Sequence, residues 1–439
     1  MSSLEYSKHF RDCIYGFIGV TEKELKIINS RAFQRLRYIR QLGNTYLVYP
    51  SANHTRFEHS IGVMHLAGKM AEKLKLNVED IELVRISALL HDIGHGPFSH
   101  SFERFLTEMD TGYKSHEEVG KEIISTDEDI ENALSAYRND VISILYENDR
   151  DKKDNLYILT KIISGPCDVD RMDYLLRDSH HCGVTYGHYD LHRILHCVGI
   201  DDSIESEIFV DEKGKYALES LRLARFSMFN QVYQHKTVLI ADCMINKAMM
   251  ISALESGNLS KFKEMRKNEF IDEFLKLNDS SMMCTLLNDK SNHIADCLFN
   301  RRLFKTIFFK EYNKIELDIR LKRKIKELVY DKISYEFIQD FETDIAKLIG
   351  IDSNKILVGT KSFTNKSYII SDDPDDDILI KTGDGNLKQF SNMSTIHATS
   401  EREDYLMIFG ENASSLDENE VLGILKNNAN KISLPIKSH

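Results

Sequence analysis

The spacing of apolar residues predicts a mainly α fold. Through most of the first 310 residues, apolar positions recur with helical rather than alternating spacing. The stretch 57–75 is typical, because His59 shares one helix face with three apolar residues, Val63, Leu66 and Met70. A histidine in phase with a buried face is most often a core residue satisfied by a hydrogen bond. The helix alone therefore assigns no function to His59.

A second helix, predicted over 79–92, is apolar on more than one face and should be buried on all sides. Gly94, Gly96 and Pro97 then break the helical pattern. The adjacent pair His91 and Asp92 therefore falls in the last turn of a buried helix. Burying such polar groups costs several kcal/mol unless they find a partner. This pair is the feature of the sequence that most needs one.

Further elements follow from the same patterns. In the stretch that begins at 161, a helix would place Asp170, Tyr174, Arg177 or Asp178, and His181 on one face as a polar stripe. Single helices are predicted over 31–43 and about 219–255. A hairpin is predicted over 201–216, with its turn near 212–214.

The pattern changes after about residue 350. Short β-rich runs alternate there with polar turns, at 356–358, 368–370, 378–380 and 405–409. A final helix is predicted over 417–428. We therefore expect a helical core over 1–310 and a small C-terminal α/β lobe over 311–439.

The composition is that of an ordinary globular chain. Of 439 residues, 42% are hydrophobic and 29% charged, and only 5 Pro and 21 Gly interrupt the helix-forming residues. No signal peptide or membrane span is expected, and seven cysteines without a C-x-x-C motif fit reduced thiols in the cytoplasm. The net charge of −12 argues against a general nucleic-acid binder. A small phosphorylated ligand needs only a few basic groups in a pocket.

Two histidines and two aspartates on three predicted helices form a candidate metal site: His59, His91, Asp92 and Asp170. Imidazole and carboxylate ligands suit Fe, Mn, Zn or Mg and leave positions for water and substrate. Such a metal lowers the pKa of bound water to about 7 and supplies hydroxide at neutral pH. The His-Asp dipeptide alone is weak evidence, since about one is expected by chance. Structural pairing of buried histidines with carboxylates would also explain the set.

The N-terminal region contains a dense basic run, with Arg31, Arg35, Arg37 and Arg40 within ten residues. On a helix these side chains would spread around the surface, and a solvated face explains them as well as any function does. The functional alternative is a phosphate or nucleotide contact, because the guanidinium group bonds phosphate oxygens in a bidentate way.

The sequence resembles the HD phosphohydrolase superfamily, whose metal motif has the order H…HD…D. Within it, the closest resemblance is to the deoxynucleoside triphosphate triphosphohydrolases, including the vertebrate enzymes that also carry a SAM domain, a domain this sequence does not show. Ordered segments carry the resemblance: 33–39 (FQRLRYI), 41–43 (QLG), 56–60 (RFEHS), 90–100 (LHDIGHGPFSH), 168–174 (DVDRMDY), 177–178 (RD) and 233–236 (YQHK).

The resemblance implies a role for each matching residue. The metal ligands would be His59, His91, Asp92 and Asp170. Residues that position water or protonate the leaving oxygen would be His95, His100, Glu103 and His116. Triphosphate contacts would come from Arg56, Arg171 and Arg225. The sugar would lie near Gln41, Leu42, Tyr174 and Asp178, with Tyr233 crowding its 2′ position.

The sequence departs from the branch at several positions. Glu103 stands where the branch has Asp. Members of the branch bind a guanine nucleotide and a second deoxynucleotide between subunits, and the residues that match this effector pocket are Gln34, Arg37, Lys236 and Arg301. Asn29 replaces the Asp that reads the guanine edge, and 230–231 (NQ) replaces a basic pair. Activation by GTP therefore stays open, while the pocket itself implies a homo-oligomer, a dimer or tetramer.

Together these features predict an HD-domain helical core with a small C-terminal α/β lobe. The expected reaction is metal-dependent hydrolysis of a dNTP to deoxynucleoside and inorganic triphosphate, by attack of water or hydroxide on the α-phosphorus. A nucleotide effector is an additional candidate ligand, and neither a membrane nor a nucleic-acid partner is expected. Two alternatives stay open: an HD phosphatase or phosphodiesterase acting on other nucleotides, and a nucleotide-responsive binding protein.

Overall fold

The computed structural model confirms the mainly α fold, since helices form most of the described chain. Small β-sheets accompany the helices. The residues that the structure describes are 4–147, 154, 156–201, 207–254, 257, 259–263, 265, 267–289, 292–326, 335–364, 377–394 and 402–431.

The helices and strands are numbered here in chain order. The helices are α1 (Glu22–Asn29), α2 (Arg31–Gln34), α3 (Arg56–Lys73), α4 (Val78–Leu90), α5 (His100–Glu108), α6 (His116–Thr126), α7 (Glu128–Leu134), α8 (Arg138–Tyr146), α9 (Tyr157–Ser164), α10 (Val169–Cys182), α11 (Leu191–Cys197), α12 (Lys215–Met228), α13 (Lys236–Leu254), α14 (Lys267–Phe274), α15 (Asp279–Asn288), α16 (His293–Phe299), α17 (Ile319–Lys326), α18 (Tyr335–Ile349) and α19 (Glu418–Lys431). The strands are β1 (Lys8–Asp12), β2 (Gly16–Val20), β3 (Val198–Asp201), β4 (Glu207–Asp211), β5 (Lys305–Glu311), β6 (Ile356–Thr364), β7 (Leu379–Lys381), β8 (Leu387–Gln389) and β9 (Arg402–Gly410).

Helices α3, α4 and α10 form the framework of the candidate site. The predicted face of α3 is buried at all four of its positions, His59, Val63, Leu66 and Met70. Helix α4 is buried on nearly every side, and it ends at Leu90 so that His91 lies at its C-cap. Helix α10 begins after Asp168, whose side chain caps it by accepting a hydrogen bond from the Arg171 backbone N–H.

Helix α10 approaches α3 closely at Gly62. A Cβ at this position would lie 2.0 Å from Asp173 Oδ1 and 2.4 Å from Arg177 Nη2, so a larger residue would displace these two side chains. The close approach brings Asp173 to His59, one turn before Gly62, where Nδ1 and Oδ2 lie 2.8 Å apart. Helix packing thus places a carboxylate behind a predicted metal ligand.

Small sheets flank the helices. Strands β1 and β2 form an N-terminal hairpin, β5, β9 and β6 form an antiparallel sheet in that order, and β3, β4, β7 and β8 form a mixed sheet in which β4 and β7 are parallel. The sheet β5–β9–β6 encloses a second hydrophobic core with α18 and α19. By contrast, Ile378, Ile380 and Phe390 belong to the main helical core. The division at 310/311 stays a prediction, and the run predicted at 368–370 lies outside the described residues.

The single helix predicted over 31–43 is wrong. Helix α2 ends at Gln34, a 3₁₀ turn follows over Arg35–Tyr38, and the chain is extended at Ile39. The cause is Arg35, which turns inward and donates hydrogen bonds to the carbonyl oxygens of Ile93 and His95, at 2.9 and 2.8 Å. One member of the basic run is therefore a buried structural residue.

The single helix predicted over about 219–255 is also wrong. Helix α12 ends at Met228, a π-helical turn covers Phe229–Tyr233, and α13 starts at Lys236. Such turns insert an extra residue and redirect side chains, often at functional sites. Here the turn directs the Tyr233 hydroxyl to Asp178, to which it donates a hydrogen bond at 2.6 Å.

The predicted hairpin over 201–216 is misplaced. Strands β3 and β4 do pair antiparallel, with Val198 opposite Val210 and Asp201 opposite Glu207. Residues 212–214 are not the hairpin turn, because they follow β4 as a 3₁₀ turn that leads into α12. The side chain of Asp211 caps this turn by accepting from the Lys213 backbone N–H.

Helix α13 is a long apolar helix of the core. By length and hydropathy it is long enough to cross a membrane, but 78% of its apolar stretch is buried inside the protein. Residues from Val238 to Ala253 contact other parts of the chain on every side. A helix that is apolar all round is expected at the centre of a large helical domain.

A buried ion pair between α1 and α4 gives a test of the fold. Arg85 Nε and Nη2 lie 2.6 and 2.9 Å from the two carboxylate oxygens of Glu24, and both side chains are buried. In Arg85→Met the buried carboxylate loses its cation, so we expect the free energy of unfolding in urea to fall by about 3–5 kcal/mol. Adding Glu24→Gln should recover part of the loss.

The control is Lys69→Met, which removes the cation of an exposed pair with Glu72. Its effect should stay within about 0.5 kcal/mol. Equal losses in the two single variants would show that the buried pair has no special role.

Candidate active site

Four side chains from three helices converge at one point in the core. His59 comes from the first turn of α3, His91 and Asp92 follow α4, and Asp170 lies in the first turn of α10. His59 Nε2 lies 3.0 Å from Asp170 Oδ1 and 3.7 Å from Asp92 Oδ2. His91 Nε2 lies 3.6 Å from Asp170 Oδ1 and 3.4 Å from Asp92 Oδ1. The structure thus brings all four predicted metal ligands together.

The hydrogen bonds of these residues fit a metal ion. His91 Nδ1 donates to the carbonyl oxygen of Ala88 at 2.7 Å, which leaves the lone pair on Nε2. That Nε2 is buried and makes no hydrogen bond. Ligand atoms of His59, His91 and Asp170 lie within 4.8 Å of one another, close enough for one cation. A divalent ion would satisfy the unpaired nitrogen and balance the carboxylates.

A chain of charges supports His59 from behind. Asp173 lies 2.8 Å from His59 Nδ1 and accepts two hydrogen bonds from Arg177, which also reaches Asp12 at 2.8 Å. Burial lowers the pKa of His59, but Asp170 and Asp173 outweigh burial and raise it to about 10. A proton on Nε2 therefore occupies the place between carboxylates that a metal cation would take. The carboxylate–histidine pair is a common support for metal ligands.

Arg56 lies beside this cluster. Its Nη1 contacts Asp92 Oδ2 at 2.5 Å, and its Nε donates to Ser99 Oγ at 2.9 Å. The guanidinium is nearly fully buried yet lines a cavity of about 570 Å³. One cation therefore lies next to the metal cluster, with a face toward the space that a substrate would fill.

Glu103 contacts the three histidines of the predicted site that are not metal ligands. Its Oε1 lies 3.2 Å from His95 Nδ1, 3.3 Å from His100 Nδ1 and 3.0 Å from His116 Nδ1. Burial tends to raise the pKa of Glu103, but hydrogen bonds from these imidazoles hold it well below its usual range. Burial and the nearby Arg56 lower the pKa of His95 to about 3, so this imidazole is neutral at physiological pH. The rings of His95 and His116 stack at 3.8 Å.

The large cavity joins most of the predicted site residues. Those that line it are Gln41, Leu42, Arg56, His59, Asp92, His95, His100, His116, Asp170, Tyr174, Asp178, Arg225 and Tyr233. His91 and Glu103 lie directly behind them, through the contacts described above. Arg171 is the exception, because it is not among the lining residues and instead contacts Asp168 at 3.2 Å. Its role in triphosphate binding stays a prediction.

Comparison with known proteins agrees with this geometry. The HD domain family matches residues 56–178, and the HD associated region matches 189–372. An uncharacterised protein of Methanocaldococcus jannaschii is 40% identical over 370 residues, which cover 83% of this chain and 72% of that protein. The chain belongs to the HD-domain phosphohydrolases.

Two further comparisons refine this assignment. The deoxynucleoside triphosphate triphosphohydrolase SAMHD1 homolog of Dictyostelium discoideum is 32% identical over 324 residues, covering 70% of this chain and 61% of that protein. The crystal structure of a phosphohydrolase from Bacteroides thetaiotaomicron superimposes with a TM-score of 0.72 at 25% identity, covering 92% of this chain and 99% of that one. As an HD-domain phosphohydrolase, this protein is a hydrolase with a metal-dependent site formed by His and Asp residues.

The four predicted effector residues fall into two groups in this phosphohydrolase. Lys236 and Arg301 line a second cavity, of about 330 Å³. Gln34 and Arg37 do not line it, and instead bond to each other, with Arg37 Nε 2.9 Å from Gln34 Oε1. Arg37 also stacks on the Phe57 ring at 3.4 Å. Within one chain, these residues do not form a single pocket.

Several residues of the site were not expected from the sequence. Asp173 supports His59, and its position one turn after Asp170 on the same helix was an available signal. His54 lies 2.7 Å from Asp178 Oδ1 and stacks on His181 at 4.4 Å. No spacing rule connects His54 with Asp178, 124 residues apart, so only the fold reveals their contact.

Metal analysis would test the assignment of the ligands. His91→Ala removes the buried nitrogen that has no hydrogen-bond partner, so we expect bound Mn²⁺ after reconstitution and desalting to fall to near the background level. His65→Ala is a matched control on α3, because His65 contacts Tyr15 instead of the cluster. Equal metal content in the wild type and His91→Ala would remove His91 from the ligand set.

Proposed function

We propose that this HD-domain phosphohydrolase cleaves deoxynucleoside triphosphates into deoxynucleoside and inorganic triphosphate. Water attacks the α-phosphorus, the bond between that phosphorus and the 5′ oxygen breaks, and the leaving oxygen takes up a proton. That the protein is a nucleotide phosphohydrolase already follows from its family, its relatives and its metal-ligand residues. The proposal concerns which nucleotide the cavity selects and which bond is cleaved.

The observation that carries the proposal is the composition of one cavity. It is lined by three of the four metal-ligand side chains, by the cations Arg56 and Arg225, and by the aromatic rings of Tyr174 and Tyr233. A nucleotide with several phosphates needs cations near a reactive centre and an apolar wall for its sugar and base. At about 570 Å³, the cavity has the size of a small-molecule site.

The residues around the metal cluster have different roles in the proposed reaction. A divalent metal held by His59, His91, Asp92 and Asp170 would supply Lewis acidity and a more acidic bound water. Arg56 and Arg225 stabilise negative charge that develops on phosphoryl oxygens.

We assign proton delivery to His116, which lines the cavity. Glu103 fixes its Nδ1 at 3.0 Å, so Nε2 is the ring nitrogen left to exchange a proton with the leaving oxygen. His95 stacks on His116 and is neutral at physiological pH. It contacts Asp92 at 3.3 Å and would help to position the attacking water. The carboxylate of Glu103 thereby acts as a positioning group for both imidazoles.

The sugar would lie against Tyr174, Tyr233 and Asp178. Asp178 is buried, and its two oxygens accept hydrogen bonds from His54 and Tyr233, at 2.7 and 2.6 Å. These partners fix the carboxylate in one orientation and leave its remaining lone pairs for a 3′ hydroxyl. The Tyr233 ring, held by the same bond, supplies the steric wall that a 2′ hydroxyl would meet.

The proposal includes a nucleotide effector and a homo-oligomer. Lys236 and Arg301 offer two cations beside a second cavity, and Gln34 with Arg37 lies elsewhere on the surface. An effector pocket shared by two subunits would explain why the matching residues form two groups. Asn29 and residues 230–231 differ from the matching residues of the branch, so we propose no base preference for the effector.

Product analysis tests the reaction directly. Purified protein would be incubated with each dNTP and rNTP plus Mg²⁺ or Mn²⁺, with and without the other nucleotides, and products separated by ion-exchange HPLC. We expect deoxynucleoside and triphosphate, and at least a 100-fold lower rate in His91→Ala with Asp92→Ala, because the metal site is lost. His65→Ala should keep the wild-type rate.

Other outcomes would favour the alternatives. Release of nucleoside monophosphate with pyrophosphate would show that the 5′ oxygen is not the leaving group, and release of orthophosphate would show cleavage at the γ-phosphorus. Turnover of nucleoside monophosphates or cyclic dinucleotides, with none of dNTPs, would indicate another HD phosphatase or phosphodiesterase. Metal binding without turnover of any nucleotide would favour a binding protein.

Substitution of Tyr233 tests sugar selection. In Tyr233→Ala the wall beside the 2′ position is removed, so kcat/KM for rNTPs relative to dNTPs should rise about tenfold or more, the size of effect expected for filling such a space. Tyr233→Phe keeps the ring and should keep most of the discrimination. Tyr216→Ala, on the exposed surface of α12, is the matched control. An unchanged ratio in Tyr233→Ala would show that another residue selects the sugar.

A further inference from the structure

A second cluster of metal-ligand side chains lies where α16 meets the C-terminal sheet. His293 and Cys297 are one turn apart on α16, and Glu411 directly follows β9. Cys297 Sγ lies 3.3 Å from His293 Nε2 and 3.6 Å from Glu411 Oε1. His293 Nε2 lies 2.9 Å from Glu411 Oε2. Three different donor types therefore meet at one point.

The spacing of these donors suits a small tetrahedral ion. With the bond lengths usual for zinc, S, N and O ligands at tetrahedral angles lie roughly 3.4–3.6 Å apart. The two distances to sulfur are already close to this, and the His293–Glu411 contact needs to open by about half an ångström. Cys297 is buried, whereas the His293 side chain is 42% exposed, so an ion and a water ligand can reach the cluster from solvent.

Both supporting segments hold the donors in place. Helix α16 is capped by Asn292, whose side chain accepts from the Ala295 backbone N–H and donates to the Ala248 carbonyl on α13 at 2.8 Å. Glu411 follows the central strand of its sheet, and its backbone N–H donates to the Lys355 carbonyl at 3.0 Å. Helix α16 is thus anchored in the main hydrophobic core, whereas β9 contributes side chains to both cores.

We infer that His293, Cys297 and Glu411 bind a zinc ion that ties the helical core to the C-terminal sheet. The thiolate favours zinc over Mg²⁺ and Ca²⁺, which prefer oxygen ligands. Three protein ligands leave a fourth position for water. The site is independent of the proposed reaction, because it shares no residue with the HD cluster.

The same contacts also allow a simpler arrangement without metal. Burial beside Glu411 raises the pKa of the Cys297 thiol to about 11, so the free thiol is protonated and donates to that carboxylate. Lys355 Nζ lies 3.6 Å from Glu411 Oε2 and partly balances its charge. When zinc binds, the thiol proton passes to solvent and the Lys355 contact loosens. The two arrangements differ in whether sulfur contacts a metal.

Cobalt substitution distinguishes them. Metal-free full-length protein would be titrated with Co²⁺ while the thiolate-to-cobalt charge-transfer absorption is recorded. The HD cluster has no sulfur and does not contribute to this band. We expect the band in the wild type, in His91→Ala and in Cys284→Ser, a matched exposed cysteine on α15, and its loss in Cys297→Ser. Zn²⁺ should displace the cobalt and abolish the band.

Two further variants keep the sulfur and test the other ligands. His293→Ala and Glu411→Gln should weaken Co²⁺ binding by more than about tenfold, since even indirect support of a ligand is worth that much. His293 is exposed, so His293→Ala carries the test if Cys297→Ser fails to fold. Absence of the band in the wild type, or its persistence in Cys297→Ser, would overturn the inference.

Discussion

The convergence of two carboxylates and two imidazoles at one point constrains the whole helical core. Asp92 and Asp170 can share the interior only with compensating positive charge, and His59 lies between Asp170 and Asp173 for this reason. Asp173 in turn requires Arg177, and Arg177 requires Asp12 at the N-terminal hairpin. The chain of alternating charges holds α10 against α3 near Gly62, where a larger residue would displace the Asp173 and Arg177 side chains. The metal cluster and the N-terminal hairpin are thus parts of one electrostatic network.

A second constraint acts on the loop that follows α4. Phe98 and Ser99 adopt positive φ, of 56° and 52°, a conformation that costs free energy in residues other than glycine. Remote side chains hold the loop in this shape. Arg35 donates to the carbonyls of Ile93 and His95, and Asp279 accepts from the Phe98 backbone N–H at 2.8 Å. His95 therefore keeps its place beside Asp92 because α15 and the segment after α2 secure the backbone around it.

These networks explain what the sequence could and could not predict. The apolar spacing of α3 and α4 is a local property, so the burial of His59 and the place of His91 at a helix end were predictable. The role of Arg35 depends on carbonyls about 60 residues away, and it was predicted only as one of a basic run. The π-helical turn before Gln234 depends on the bond between Tyr233 and Asp178, which no periodicity signals. Local sequence patterns predicted the helices, whereas tertiary contacts determine the positions at which these helices end.

The charges of the site also bear on the order of binding. Without a metal ion, the positive charges beside Asp92 and Asp170 are already engaged, because protonated His59 contacts Asp170 and Arg56 contacts Asp92. Little positive charge is then left for a polyphosphate, in a protein whose net charge is −12. A divalent cation held by the carboxylates would take over this balance and leave Arg56 to act on the phosphates. Metal and nucleotide should therefore bind with positive coupling, each raising the affinity for the other.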